Sequence, residues 1–547
     1  VQKSYSKHTF MRKIIATCCF LLTCHTLYMT AQEVSIIPYP QKVEVSQKLC
    51  NIKKLKSIHT GETTEGKEAA LLLQEKMKEM ELTLDLTTEK RGKGCIELLL
   101  TDKVAGKEAY RMEVKKNNVR IEASTHSGLV YGVQSLLQEI KSDSLKCGII
   151  EDEPRFEWRG YLLDESRHFV GEKKVKQILD ILGTYKVNRF HWHLTDQPGW
   201  RIEIKAYPKL TEIGAIGNHT NSNAPAAFYT QEQIRDIVNY AAQRGIQVVP
   251  EIDMPGHAGA SNRAYPEFQA LGNEQHPDFC FNPGNEGTYT YLTNILKEVT
   301  QLFPSPYLHI GGDEVHFGNS NWDKDEHIKR LMTAHNLKNA REVEEYFLER
   351  MEGVVEKMGK KTMTWDDTYE EGKNPENNII TWWRHDKTDK LQKMLKEGIP
   401  LVLCPRKPLY LDFVQHDSHQ YGRRWDGGCP TEDVYAFPES MYEKWGVSEE
   451  DMKSVLGIQG NMWGETTQNA QRVEFMTFPR IIAMAEAGWT RAEQKSYDSF
   501  QKRMNQAYDY LDKEGIWYFD TRNPDAHAEP DGPKKDEDPE KIGKKKK

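Results

Sequence analysis

Tyr307-Leu308-His309-Ile310-Gly311-Gly312-Asp313-Glu314 reads as a short apolar strand that runs into two glycines and then two adjacent carboxylates. Glycine lets a backbone turn sharply and leaves room for a ligand to approach. Adjacent carboxylates repel, so one of them tends to keep a proton near neutral pH. A protonated acid beside an ionised one is a working pair for acid–base chemistry. An isolated Asp-Glu pair is otherwise a solvated strand end, as most charged residues are. The surrounding sequence has to decide between the two.

From Arg159 onward, short apolar segments alternate with helical ones. Strands are predicted at 160–163, 187–193, 247–252, 307–310, 361–365, 378–382, 400–404 and 455–459. Helical spacing fills 173–185, 231–244, 288–302, 342–358 and 387–396. Eight strand–helix units over roughly 330 residues predict an α/β fold of the (β/α)8 TIM-barrel type. A doubly wound open sheet would not need eight units, and the chain has no phosphate-binding glycine motif.

A barrel of this kind places its active site at the C-terminal ends of the strands. Asp164 and Arg167 follow the first, His193 and Asp196 the second, Asp253 and His257 the third, Asp313 and Glu314 the fourth. Trp365 and Asp366 end the fifth and Trp382 and Trp383 the sixth. Tyr410 and Asp412 come after the seventh, and Trp463 and Glu465 after the eighth. Polar or aromatic residues at all eight ends fit one lined pocket.

The chain has 547 residues, which predicts two or three domains. Its net charge of −8 is modest and dispersed, so nothing points to nucleic acid. Residues 33–150 read as a small α/β domain: extended over 34–45, helical over 69–80, a strand at 95–100 and a hairpin of 110–114 with 119–123. A helix face runs through Leu129, Val133, Leu136, Leu137 and Ile140. The barrel is expected over 155–520. Arg12 and Lys13 precede an apolar run from Ile14 to Leu22, and small or polar residues follow to Ala31-Gln32. This predicts a signal peptide within 1–31, with residues 1–10 an extension upstream of Met11. The run is too short to remain in a bilayer, so the mature chain is expected to carry no integral membrane segment. It is expected to be exported, periplasmic or secreted; Cys24 sits in a poor lipoprotein signal, which disfavours a lipid-anchored surface form. Six scattered cysteines remain beyond that segment, without metal-type spacing, and disulfides are left open. The stretch 529–547 is Pro, Lys, Asp and Glu, and is expected to be a disordered tail.

The strand-end motifs resemble glycoside hydrolase family 20, the exo-acting β-N-acetylhexosaminidases. They are Arg159-Gly160-Tyr161 with Asp164 and Arg167-His168-Phe169, His191-Trp192-His193-Leu194-Thr195-Asp196 with Gly199-Trp200-Arg201, Pro250 to His257, His309 to Glu314, Tyr410-Leu411-Asp412, and Gln459 to Glu465. The resemblance runs from about residue 34 to about 520 and includes the small domain. It implies that Glu314 is the general acid/base and that Asp313 holds and polarises the substrate's 2-acetamido group. Tyr410 would hydrogen-bond the acetamido carbonyl. Trp365, Trp383 and Trp463 would wall the pocket, and Arg167, Asp412 and Glu465 would bind ring hydroxyls. Asp196, His257 and His193 would support the acid. The implied partner is a glycan ending in β-N-acetylhexosamine, with no cofactor.

Adjacent residues on one loop cannot readily occupy opposite faces of a sugar, whereas ordinary glycosidases flank the bond with carboxyls roughly 5 to 9.5 Å apart. The substrate's own acetamido oxygen is then the expected nucleophile, giving an oxazolinium intermediate. Two other readings compete. His191 and His193 alternate along one strand and face one side, as zinc ligands can; no third and fourth ligand with metal spacing is visible, so none is assigned. A catalytically inactive sugar-binding protein is the other, against which the intact Asp313-Glu314 pair argues. The insert 416–429, with Arg423 and Arg424, could shape the leaving-group side of the pocket, but a solvated loop is the favoured expectation.

Overall fold

The computed structural model describes residues 34–89, 93–369, 375–424 and 427–532. The expected signal peptide, the upstream extension and most of the charged tail lie outside the described residues. Among the described residues, no helix is long and apolar enough to cross a membrane.

Eight parallel strands close into a barrel: β8 Trp158–Asp164, β9 Arg189–His193, β10 Gln247–Glu251, β11 Tyr307–His309, β12 Lys361–Trp365, β13 Asn378–Trp382, β14 Leu401–Leu403 and β15 Val455–Met462. β15 pairs with β8 to complete the ring. Each strand corresponds to one of the eight predicted segments.

Strand alternation sorts the side chains. On β9, Phe190 and Trp192 enter the core between strands and helices, whereas His191 and His193 point into the barrel. On β13, Trp382 joins that outer core and stacks edge-on against Trp445, with centroids 5.0 Å apart. Trp382 is thereby excluded from the mouth where the strand-end reading put it; its neighbour Trp383 is at the mouth. The bottom of the barrel is filled by Trp158, Val249, Met363, Ile379 and Val402. The mouth holds a second apolar group that includes Leu162, Trp365, Tyr410 and Trp463.

The small domain is a seven-stranded mixed sheet among the described residues, ordered β1-β7-β5-β6-β4-β2-β3. Its strands are β1 Lys42–Asn51, β2 Ser57–His59, β3 Asp85–Thr87, β4 Cys95–Leu100, β5 Tyr110–Lys115, β6 Asn118–Ala123 and β7 Ser144–Asp152. β2, β3 and β7 are additional to the predicted elements. Trp489, from the barrel domain, packs into the small domain's core and donates its Nε1–H to Asp152 at 2.9 Å. The cysteines at 50, 95, 147, 280, 404 and 429 are all buried free thiols.

Two expectations at the C-terminal side change. Glu529 is placed, not tail-like: it accepts from Arg472 at 2.8 Å and from the backbone N–H groups of Gln420 and Tyr421. The insert is solvated only in part: His416 to Ser418, Gln420 and Gly427 are exposed, but Arg423 and Cys429 are buried. Arg480 donates to the carbonyls of Phe413 and Cys429, both at 2.9 Å, and Arg423 is only 6% exposed.

Candidate active site

The Gly-Gly turn after β11 requires glycine at both positions. Gly311 has φ +69°, and a Cβ there would lie 2.1 Å from Asp253 Oδ1. Gly312 has φ +92°, and a Cβ would lie 2.3 Å from Thr368 Cγ2. Glu314 itself is left-handed, at φ +53° and ψ +20°. Such a conformation in a non-glycine residue is costly and persists where the surroundings enforce it. Here it aims Glu314 at the imidazole of His257, whose own backbone is left-handed at φ +53°.

His257 Nε2 lies 3.4 Å from Glu314 Oε2 and 3.5 Å from Asp313 Oδ2. Its Nδ1 lies 3.1 Å from Asp196 Oδ1. Asp196 Oδ2 faces Arg167 at 2.7 Å and His193 Nε2 at 3.1 Å. His193 Nδ1 meets Glu251 Oε2 at 2.6 Å. Glu251 also accepts Trp365 Nε1–H at 2.7 Å and lies 3.0 Å from both His309 Nδ1 and His191 Nε2. A buried chain of alternating charge therefore runs from the acid pair to the base of the pocket.

The electrostatics follow from that alternation. Burial works against the charged form of His257, but Asp196 and Asp313 outweigh it and hold the imidazolium well above the usual histidine range. Burial opposes ionisation of Glu314; the hydrogen bond and charge of His257, helped by Arg167 and His316, pull it below the usual carboxylate range. Asp313 goes the other way. Burial, then repulsion from Glu314 and Asp367, raise it to about 7 despite His257. The neighbouring carboxyls are thus pushed in opposite directions, Asp313 upward and Glu314 downward.

Tyr410, Trp365 and Trp463 are mutually packed, with Trp365–Trp463 centroids 5.7 Å and Tyr410–Trp463 centroids 5.9 Å apart. Trp383 stacks parallel to Tyr410 at 6.3 Å, fixed by its Nε1–H donating to Asp367 at 2.8 Å. Asp164 accepts from the backbone of Arg167 and of Gly464 and so locks the first strand end against the last. On the far rim, Arg167 Nη2 is 3.9 Å from Glu465, and Arg423 bridges Glu465 at 3.1 Å and Asp412 at 3.2 Å. Asp313 Oδ1 and Asp412 Oδ1 are buried and accept no hydrogen bond from the described residues. Buried acceptors of this kind can take polar groups of water or of a ligand. All twelve residues named from the sequence thus fall into one continuous arrangement.

Glu251, His309, Asp367 and Arg423 also belong to the arrangement but carry no role in the sequence reading. Glu251 is the innermost of these, and its position at the last inward site of β10, opposite His193 and His309 in register, is the signal that marks it. It also supplies what linear spacing does not show: His191, Glu251 and His309 come close enough to share a metal ion, as do His193, Asp196 and Asp253, and His257, Asp313 and Glu314. Third donors that linear spacing does not reveal are therefore present in space. In each set the donors are engaged with one another, and in the second the guanidinium of Arg167 already serves Asp196.

The family model for the glycosyl hydrolase family 20 catalytic domain matches residues 156–492, more than half of the chain, and that for family 20 domain 2 matches residues 33–153. The chain belongs to glycosyl hydrolase family 20. Among family relatives, a β-hexosaminidase of Porphyromonas gingivalis is 33% identical over 507 residues, covering 89% of this chain and 64% of the relative. A β-hexosaminidase of Vibrio furnissii is 35% identical over 415 residues, covering 72% of this chain and 67% of the relative. The chain thus spans about two thirds of these relatives' length. The structure of a family 20 exo-β-N-acetylglucosaminidase from Vibrio harveyi in complex with N-acetylglucosamine superposes with a TM-score of 0.80 at 32% identity, covering 90% of this chain and 78% of that one.

Proposed function

We propose that the chain is a retaining exo-β-N-acetylhexosaminidase that removes terminal β-linked N-acetylglucosamine or N-acetylgalactosamine from glycans. The observation that carries this reading is the convergence of the two carboxyls. Asp313 and Glu314 each offer an oxygen within 4.8 Å of the other and of one His257 nitrogen. Glycosidases that use two enzyme carboxyls on opposite faces hold them about 5–5.5 Å apart when retaining and about 6.5–9.5 Å apart when inverting. Adjacent carboxyls that meet at one imidazole are poorly placed to flank the bond from opposite faces. The nucleophile then comes from the substrate, a route known for family 20. An internal acetamido oxygen brings an entropic advantage of up to several kcal/mol.

In this mechanism Glu314 protonates the leaving oxygen and later takes a proton from the attacking water. Asp313 accepts the acetamido N–H and stabilises the positive charge that grows as the oxazolinium ring closes. Tyr410 donates to the acetamido oxygen and aims it at the anomeric carbon. Trp365, Trp383 and Trp463 enclose the acetamido methyl and the sugar ring. Arg167, Asp412 and Glu465 bind ring hydroxyls. The names of the two relatives and the N-acetylglucosamine bound to the Vibrio harveyi protein support the substrate class.

The test compares kcat/KM for an aryl β-N-acetylglucosaminide and the matched β-glucoside, with proton NMR of the first-formed sugar. The acetamido substrate should be turned over far faster and release the β anomer. Comparable rates, a first-formed α anomer, or a sugar adduct on Asp313 would refute substrate assistance.

A further inference from the structure

The rim opposite the acid pair carries a group that this mechanism does not use. Arg423 belongs to the insert between β14 and β15, and its guanidinium lies between two carboxylates assigned to ring hydroxyls. Nε is 3.2 Å from Asp412 Oδ2 and Nη2 is 3.1 Å from Glu465 Oε1. We propose that Arg423 is a positioning residue for sugar recognition, holding Asp412 and Glu465 in the geometry and charge state that reads the hydroxyls at the non-reducing end. This rests on the hexosaminidase reading above and adds a determinant of specificity to it.

The insert is built to deliver that side chain. Val414 N–H donates to the Arg423 carbonyl at 3.0 Å, and Cys429 N–H donates to Val414 at 2.8 Å. Arg480 ties the start and the end of the insert through Phe413 and Cys429. Glu529 holds the backbone at Gln420 and Tyr421 and is itself held by Arg472. Gly422 sits at φ +101°, with Val414 and Arg472 packed where a Cβ would be. An arm anchored at so many points places one arginine reproducibly.

The chemistry requires such a cation. Asp412 and Glu465 repel each other across the Arg423 guanidinium. Glu465 faces Arg423, Arg167 and His219; burial opposes its charge, but these cations hold it down at about 2. Asp412 faces Arg423, Glu465 and Arg480; burial and Glu465 lift it to about 7, with Arg423 the main opposing group. Without Arg423, Asp412 would hold its proton to higher pH. A carboxylate that accepts from a hydroxyl would become a carboxylic acid with one oxygen fewer to offer.

Arg423→Met and Arg423→Lys test this with the full chain, using aryl β-N-acetylglucosaminide and its 4-deoxy and 6-deoxy analogues. Wild-type turnover of the parent substrate checks the underlying hexosaminidase reading separately. If that reading holds, Arg423→Met should raise KM at least ten-fold and leave kcat within three-fold. Its KM should recover as pH rises, and Arg423→Lys should regain part of the loss. At least one deoxygenation that costs the wild type ten-fold in kcat/KM should cost Arg423→Met less than three-fold. Unchanged KM, a parallel fall in kcat, or an undiminished deoxy effect would overturn the proposal. If the Met variant fails to fold, calorimetric binding of N-acetylglucosamine to Arg423→Lys decides. Weakened binding with an altered pH dependence supports the proposal, and wild-type binding overturns it.

Discussion

Replacing His257 by asparagine should move the pH–activity profile to higher pH. Asparagine is chosen because it tolerates the left-handed backbone found here, at φ +53°. The imidazolium stands 3.4 Å from Glu314 Oε2 and 3.5 Å from Asp313 Oδ2. At 3.4 Å and an effective dielectric of about 20, one unit charge is worth about 5 kcal/mol. That corresponds to a ceiling of roughly 3.5 pKa units. Arg167 and His316 still act on Glu314 in the variant, and its side chain is 31% exposed. Solvent screening therefore reduces the expected displacement to about one unit. The sign is fixed: His257 favours the ionised form of both carboxyls, so its loss lets both keep their protons to higher pH. The assay is kcat/KM against pH for a glycoside with a poor leaving group, where protonation by Glu314 is needed. The alkaline limb should shift upward, and the maximum should fall roughly 10²-fold as the support of the acid is lost. An alkaline limb that stays in place, or moves to lower pH, would remove His257 from control of Glu314.

Glu314→Gln should lose about 10²–10⁴-fold on natural glycosides and much less on substrates whose leaving group needs no proton; equal losses in a two-substrate comparison would take Glu314 out of the acid role. Glu251→Gln should destabilise the protein by about 3–5 kcal/mol, because a neutral amide replaces a buried anion between histidines. Glu251 is held well below the usual range because the three histidines overcome its burial, so its stabilisation is present above the ordinary carboxylate pKa and is lost as pH falls through its lower folded value. Denaturant titrations should therefore show a ΔΔG that shrinks at low pH, and a constant difference would contradict the sign. Gly311→Ala should cost about 1–3 kcal/mol or more from backbone strain alone, with the contact to Asp253 in addition; an unchanged melting temperature would show that the turn adopts another conformation.

The barrel was legible because its strands are short apolar runs separated by helical segments, and because the strand ends repeat polar and aromatic residues. The missing strands of the small domain have physical reasons. β2 and β3 are three residues each, too short to show any period. β7, Ser-Leu-Lys-Cys-Gly-Ile-Ile-Glu-Asp, carries a glycine at φ +159° opposite a register shift in β1, which breaks its alternation. At the site, residue types were legible and couplings were not. That Glu251 meets His193 and His309 depends on the register of β10 between β9 and β11, which no local pattern encodes. Arg423 looked solvated because its burial depends on Arg480, Arg472 and Glu529, the nearest of them about fifty residues further along the chain.

The alternating chain explains how so many charges stay buried. Glu251, His193, Asp196 and His257 are each flanked by the opposite sign, so the desolvation that would expel an isolated ion is offset at every step. The chain ends on a cation facing two carboxyls. Two carboxyls so close titrate as a pair and hold one proton between them. His257 contacts both; its charge holds Glu314 below the usual carboxylate range, while burial raises Asp313 to about 7. The proposed reaction needs a proton on Glu314 and a charge on Asp313. An acetamido N–H donated to Asp313 would favour its ionised form, since Oδ1 is buried and accepts nothing from the described residues. A leaving-group oxygen seated on Glu314 would exclude water from its exposed edge and favour the neutral form. Substrate binding would thus favour the proton on Glu314 and the charge on Asp313. A β-glucoside has no N–H to offer Asp313 and would not favour that placement, a second reason, beyond the missing nucleophile, for the acetamido group to govern turnover.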